Sequence, residues 1–295
     1  AMSSGLASSS TTTRALDVVL VLDASGSMDD PMGSKDSTKR IAALQKAVNG
    51  LLDTVADKNK NLADGKQIQV AIVKYAGNKS NSVGNDRYNA GGYNYNRTQI
   101  MKTLAVCTTD TVGDFTATVN SIRPAGCTQA DYGLEKAQEA LKVSRDGAKK
   151  VIIFFTDGSP NDSNGFVPSV ANNAVAKAKA LKDDKAEIYT VGIFSGANPN
   201  ALVDSNRTSS ENKFMQAVSS NYPEATYSYT SYGLFGGSYN WNFGTKAASA
   251  DYYLAASSAD ELNNVFESIF TSVSTLLPGP THVTGNPQQD GYVTF

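Results

Sequence analysis

The residues best suited to chemistry in this chain are oxygen donors that follow strand-like runs. Leu16–Leu22 is followed at once by Asp23-Ala-Ser25-Gly-Ser27-Met28, and Val151–Phe155 by Thr156-Asp157-Gly158-Ser159. Between them, after a helical stretch ending near Ile122, lies Pro124-Ala-Gly126-Cys127-Thr128-Gln129-Ala130-Asp131. If the three segments leave one edge of a parallel sheet, the carboxylates of Asp23 and Asp157 and the hydroxyls of Ser25, Ser27 and Thr128 converge. Such hard oxygen donors suit Mg²⁺, Mn²⁺ or Ca²⁺, whereas soft metals ask for Cys or His. Two carboxylates roughly neutralise a divalent ion and leave it able to take an acidic group from outside, which is a binding mechanism. Taken singly, each residue has a plainer role as a cap or turn residue; their joint placement favours the metal.

Catalysis has little support. No Gly-x-Ser-x-Gly elbow, phosphate loop or dinucleotide fingerprint occurs. The one histidine, His282, lies near the end of the chain, which disfavours a Ser-His-Asp triad and a His-ligated zinc. Asp23 follows a strand as a phosphotransfer nucleophile would, but no second acid or lysine is evident beside it.

The elements needed to position these loops are legible. Leu16–Leu22 has the continuous apolar character of a strand buried on both faces. Ile41, Leu44, Val48, Leu51, Leu52 and Val55 recur at helical spacing. Further strands are expected at Gln67–Tyr75, Val151–Thr156, Glu187–Phe194 and Tyr252–Ala255, with helices at about Ser169–Asp183 and Ala259–Leu277. The alternation predicts an α/β, Rossmann-like doubly wound, mainly parallel sheet flanked by helices. Ligands of such sheets sit beyond the carboxyl ends of the strands, where strand order reverses.

Two stretches break the pattern and are read as inserted loop arms, at about 77–110 and 221–247. Both are rich in Tyr, Asn, Gly and Ser, a mixture that makes adaptable contact surfaces. Tyr93, Tyr95, Tyr232, Tyr239 and Trp241 are candidate ligand contacts; the alternative is rings that bury one another. Cys107 and Cys127 form an even set, so one disulfide and an oxidising compartment are expected, with two free buried thiols as the alternative.

With 40% hydrophobic and 18% charged residues and a net charge of -2, the composition suits a globular protein and disfavours nucleic-acid binding. No apolar run approaches the roughly 20 residues needed to span a bilayer. Residues 1–14 read as a Ser/Thr-rich leader, 15–277 as the main domain, and 278–295 as a linker running into a following domain.

The three loops resemble the metal-ion-dependent adhesion site of von Willebrand factor type A and integrin I-type domains. Asp23, Ser25 and Ser27 match its Asp-x-Ser-x-Ser loop, Thr128 its middle threonine and Asp157 its Thr-Asp-Gly loop. Cys127 and Ala130 depart from the family's middle loop, which often carries Gly-Gly-Thr and a second Thr. The opening Leu-Asp-Val-Val-Leu-Val-Leu-Asp-x-Ser-Gly-Ser-Met, the segment from Thr128, the arms and the closing Gly-Tyr-Val-Thr-Phe are similar to tip adhesins of Gram-positive sortase-assembled pili. The resemblance implies a non-enzymatic module at the cell surface or cell wall, with the arms framing the metal site. It implies a carboxylate-bearing extracellular protein or glycan as ligand and pilin domains as neighbours. An intracellular A domain gripping an acidic residue of a ring ATPase is the alternative; a Cys107–Cys127 disulfide would argue against it and would brace the metal loop.

Overall fold

A computed structural model describes residues 14–233, 236–248 and 251–274. The expected leader and linker, and His282, therefore lie outside the described residues, apart from Arg14. Twelve strands and six α-helices occur among them. In chain order these are β1 (Leu16–Asp23), β2 (Pro31–Gly33), β3 (Asp36–Lys39), α1 (Arg40–Asn59), β4 (Gln69–Tyr75), β5 (Arg87–Ala90), β6 (Tyr93–Asn96) and β7 (Gln99–Val106). There follow α2 (Val112–Asn120), α3 (Ala130–Ala140), β8 (Lys149–Thr156), α4 (Pro168–Asp183), β9 (Ala186–Gly192), α5 (Ser210–Val218), β10 (Thr226–Ser231), β11 (Gly237–Asn242), β12 (Tyr253–Ala255) and α6 (Ala259–Ser274).

The central sheet has the order β12-β9-β8-β1-β4-β7. All its pairs are parallel except β4 with β7. This is the mainly parallel, doubly wound α/β architecture predicted by the sequence. Every residue of β1 is buried, as a strand covered on both faces requires. The two-residue period of a strand divides it. Leu16, Val18, Leu20 and Leu22 pack in a core with α1, α2 and α6, while Val19 and Val21 join α3, α4 and α5 on the other face. Asp17 shares the second face, where the Arg145 guanidinium donates to its carboxylate from Nε at 3.0 Å and Ser144 from its hydroxyl at 2.8 Å. A buried carboxylate is tolerable only when paired in this way.

From β1 the chain proceeds to β4 and β7 on one side and later to β8, β9 and β12 on the other, so the order reverses at β1 and β8. β7 runs antiparallel and ends opposite Gln69, at the amino edge of the parallel strands. Helix α2 then carries the chain back to the carboxyl edge, which is how the loop before α3 comes to join those after β1 and β8.

The arms are more ordered than their composition suggests. The first contains the hairpin β5–β6, and the expected insertion 77–110 also takes in β7, an edge strand of the main sheet. Buried Lys74 pins this arm through the Asn85 side-chain oxygen, the Asp86 carbonyl at 2.9 Å and the Asn96 side-chain oxygen at 3.4 Å. The second arm is the hairpin β10–β11, with the Tyr229, Tyr239 and Tyr227 rings in tilted contact in turn, Tyr227 stacked on Trp241 and Trp241 on Phe243. Its base is fastened by Lys182, whose ammonium donates to the carbonyls of Ala217, Ser219 and Tyr222 at 2.7, 3.2 and 2.9 Å.

The expected disulfide is not present: Cys107 and Cys127 are both free. Cys107 follows β7 at the amino edge, where the Asn59 side chain bonds its carbonyl at 2.8 Å. Cys127 belongs to the loop at the carboxyl edge, its thiol donating to the Asp162 carbonyl at 3.1 Å. A strand the length of β4 (7 residues) separates those edges by roughly 20 Å, far beyond the Cα spacing of about 7 Å that a disulfide tolerates. The bracing of the metal loop expected from that bond falls with it, as does its value against an intracellular location.

Candidate metal centre

The three loops meet as the sequence predicts. Ala24 N–H donates to the Tyr75 carbonyl at 2.9 Å, carrying the loop after β1 across the end of β4. Asp23 folds this loop over itself by accepting the Ser25 N–H on Oδ1 at 2.8 Å, a turn that a short acidic or amide side chain favours. The middle loop is stitched to the first by Gly26 N–H to the Gly126 carbonyl at 3.0 Å and Ala125 N–H to the Ala24 carbonyl at 2.9 Å. It is stitched to the third by reciprocal backbone bonds between Thr128 and Asn161 at 3.1 and 2.9 Å.

Within this frame the Ser25 and Ser27 hydroxyls lie 3.1 Å apart, and Ser27 donates to Asp157 Oδ1 at 2.9 Å. Asp23, Ser25, Thr128 and Asp157 are buried and Ser27 is half-buried. The structure thus joins Asp23, Ser25, Ser27 and Asp157 through side chains and places Thr128 beside them through the backbone. The neighbouring Asp29 and Asp30 are solvated: Asp29 pairs with exposed Lys39 at 2.8 Å, and Asp30 is 65% exposed.

Electrostatics mark the cluster as short of positive charge. Burial, and then the neighbouring Asp157 carboxylate, push Asp23 up to about 7, against hydrogen bonds from Ser25 and Thr156 that favour its ionised form. Burial also raises Asp157, opposed by hydrogen bonds from Arg40 and Ser27. A cation placed here relieves both desolvated carboxylates. Among the described residues no group of three or more His, Cys, Asp or Glu could hold a metal. The donor set is thus two carboxylates plus hydroxyls, a hard-ion set with room for water.

Three residues at the site escape sequence reading. Tyr75 pairs in register with Asp23 and its hydroxyl donates to the Phe155 carbonyl at 2.7 Å, bridging the ends of β1, β4 and β8. Its ring lies against Gly133, where an added Cβ would come within 2.9 Å of the ring. Thr156 donates to Asp23 Oδ2 at 3.0 Å; its place before Asp157 was the available signal. Arg40, first residue of α1, donates to Asp157 Oδ2 at 2.9 Å, and nothing in its sequence neighbourhood signals that.

The first arm is hydrogen-bonded to the loops after β1 and before α3. Asn96 donates from its side chain to the carbonyls of Ala24, Arg123 and Ala125 at 2.9, 2.7 and 3.2 Å, and Tyr95 lies against Gly126. The second arm packs on α4 and on Phe166, which lies 6.4 Å from Trp241 between ring centres. Of the candidate contacts, Tyr93 (71%) and Tyr232 (54%) are exposed, whereas Tyr95, Tyr239 and Trp241 are half-buried. The inner rings therefore pack on each other, as the alternative expects, while the tips reach solvent.

No helix among the described residues is long and apolar enough to cross a membrane. No curated protein matches the chain. Among solved structures it is similar to the pilus adhesin SpaC from Lactobacillus rhamnosus GG (19% identity, TM-score 0.56), covering 89% of this chain and 31% of that one. It is also similar to the PilB minor pilin from Streptococcus sanguinis (13% identity, TM-score 0.58), covering 93% and 64%. The vWF domain of the type V pili tip protein Mfa5 from Porphyromonas gingivalis shares the fold across 96% of this chain and 99% of its own (12% identity, TM-score 0.56). The chain thus spans about a third of SpaC and under two thirds of PilB. The model of the von Willebrand factor type A domain matches residues 17–231, the span that contains all three loops, and the chain belongs to that family.

Proposed function

We propose that this domain is a cell-surface adhesion module that binds an acidic group of an extracellular protein or glycan through one divalent cation, Mg²⁺, Mn²⁺ or Ca²⁺. The cation is held by Asp23, Ser25, Ser27, Thr128 and Asp157. When bound, it would supply Lewis acidity toward the acidic group of the ligand. Asp23 and Asp157 anchor the charge, and the Ser25, Ser27 and Thr128 hydroxyls supply neutral donors that keep the ion electrophilic. Tyr75 and Thr156 fix Asp23 so that its oxygens keep their direction. Burial of Asp23, Ser25, Thr128 and Asp157 limits the water that can compete for the ion. The observation that carries this reading is the bonded cluster of two buried carboxylates and two serines drawn from separate loops.

The likeness to pilus proteins favours the surface over the ring-ATPase alternative, which would use the same chemistry, and makes neighbouring pilin domains the expected covalent context. The deciding experiment is a glycan and matrix-protein binding screen run with Mg²⁺, with EDTA, and with Asp23→Ala. Binding lost under both perturbations supports the reading. Binding that survives both moves recognition to the aromatic arms, and hydrolytic turnover of a ligand would replace adhesion with catalysis.

A further inference from the structure

Arg40 is placed where a metal site has no need of an arginine. Its Nη1 donates to Asp157 Oδ2 at 2.9 Å and to the Ser27 carbonyl at 3.3 Å, while Ser27 takes the other oxygen of the same carboxylate. The Asp157 side chain is fully buried and that of Arg40 is 18% exposed, so the ion pair is shielded from solvent screening. The other acid in reach is Asp30, at 3.9 Å and 65% exposed, too solvated to neutralise the guanidinium. Arg40 Nε is buried without a hydrogen-bond partner, so the side chain forgoes a bond to hold this position. The guanidinium also lines a groove of about 710 Å³ between the β2–β3 hairpin, Phe194–Ala197 and Ala255–Ser257.

This inference rests on the metal-binding reading above. We propose that Arg40 is an internal cation that shares Asp157 with the divalent ion, holding the metal-free site together and setting a ceiling on metal affinity. With both carboxylates ionised, Asp23 and Asp157 with Arg40 carry one net negative charge; a divalent ion turns that into one net positive charge. The loaded site then attracts an anion more strongly than two carboxylates and a metal alone would. A weaker grip on the metal is the counterpart, because two cations draw on one carboxylate.

The test is the affinity of the intact chain for Mn²⁺ alone, measured by titration calorimetry, together with melting curves in EDTA and in Mn²⁺. Arg40→Gln is expected to bind Mn²⁺ roughly tenfold more tightly, the scale of screened repulsion between cations sharing one carboxylate. It should melt lower than the parent in EDTA and gain more from added Mn²⁺. Arg40→Lys, which keeps the charge, should stay close to the parent in affinity and guards against a trivial packing effect. Equal or weaker Mn²⁺ binding by Arg40→Gln overturns the role of Arg40 and leaves the metal site standing. Failure of the parent itself to bind Mn²⁺ overturns both.

Discussion

A buried acid held near neutrality ties the stability of this domain to pH in an unusual direction. Asp23 moves from an ordinary value of 3.8 to about 7 on folding, chiefly through burial and secondarily through Asp157. A carboxyl raised on folding binds its proton more tightly in the native state. Its stabilising contribution is complete below the unfolded value and is lost as pH climbs through the folded one. The full span corresponds to about 4 kcal/mol at 1.36 kcal/mol for each tenfold change in proton affinity. About 3 kcal/mol of it falls between pH 5 and pH 8. For a domain of this size that is roughly 5–10 °C in melting temperature. In EDTA, melting should therefore fall as pH is raised from 5 to 8, and Asp23→Asn should flatten that slope. With saturating Mn²⁺ the trend disappears, because the ion keeps the carboxylate ionised and its stabilisation grows with pH by as much as the proton's is lost. Differential scanning fluorimetry at constant ionic strength reads all three series. A metal-free melting temperature with the same pH slope in the parent and in Asp23→Asn would refute the assignment.

The remaining predictions concern the frame around the site. Because Cys107 and Cys127 are free, reductant should leave both the melting temperature and Mn²⁺ affinity unchanged, and two thiols should react with an alkylating agent once the chain is unfolded. Gly133→Ala should cost about 2 kcal/mol and weaken Mn²⁺ binding, since its Cβ forces the Tyr75 ring away from the sheet end it bridges; calorimetry with and without metal checks both effects. Trp241→Ala should cost about 3 kcal/mol in denaturant unfolding by dissolving the ring stack of the second arm. Tyr93→Ser and Tyr232→Ser, at exposed tips, should leave stability within about 0.5 kcal/mol and report on ligand binding alone.

What could be read from the sequence was whatever the core dictates. β1 and β8 are apolar almost throughout because helices cover both their faces, and the donors follow them directly, so the strands and their loops were legible together. β7 was not, because an edge strand needs no such run: half-buried Lys102 and exposed Thr103 interrupt it with polar residues. The hairpins β5–β6 and β10–β11 were hidden by Asn, Gly and Tyr, which read as loop but pair here through backbone bonds and stacked rings. The disulfide failed because an even count of cysteines carries no information about which edge of a sheet each occupies. Arg40 and Tyr75 were invisible for a related reason. Their roles depend on register across strands and on where a helix begins, quantities that no local pattern encodes.

Asn96 has a mechanical consequence. A single buried amide grips the carbonyls of residues 24, 123 and 125, while its own backbone carbonyl accepts from Gly77 and its side-chain oxygen faces the Lys74 ammonium. Tension applied to the first arm is thereby divided among several parallel bonds rooted in β4, the loop after β1 and the loop before α3. Parallel bonds must rupture together, so the arm and the metal loops yield as one unit and a pull on one is felt by the other.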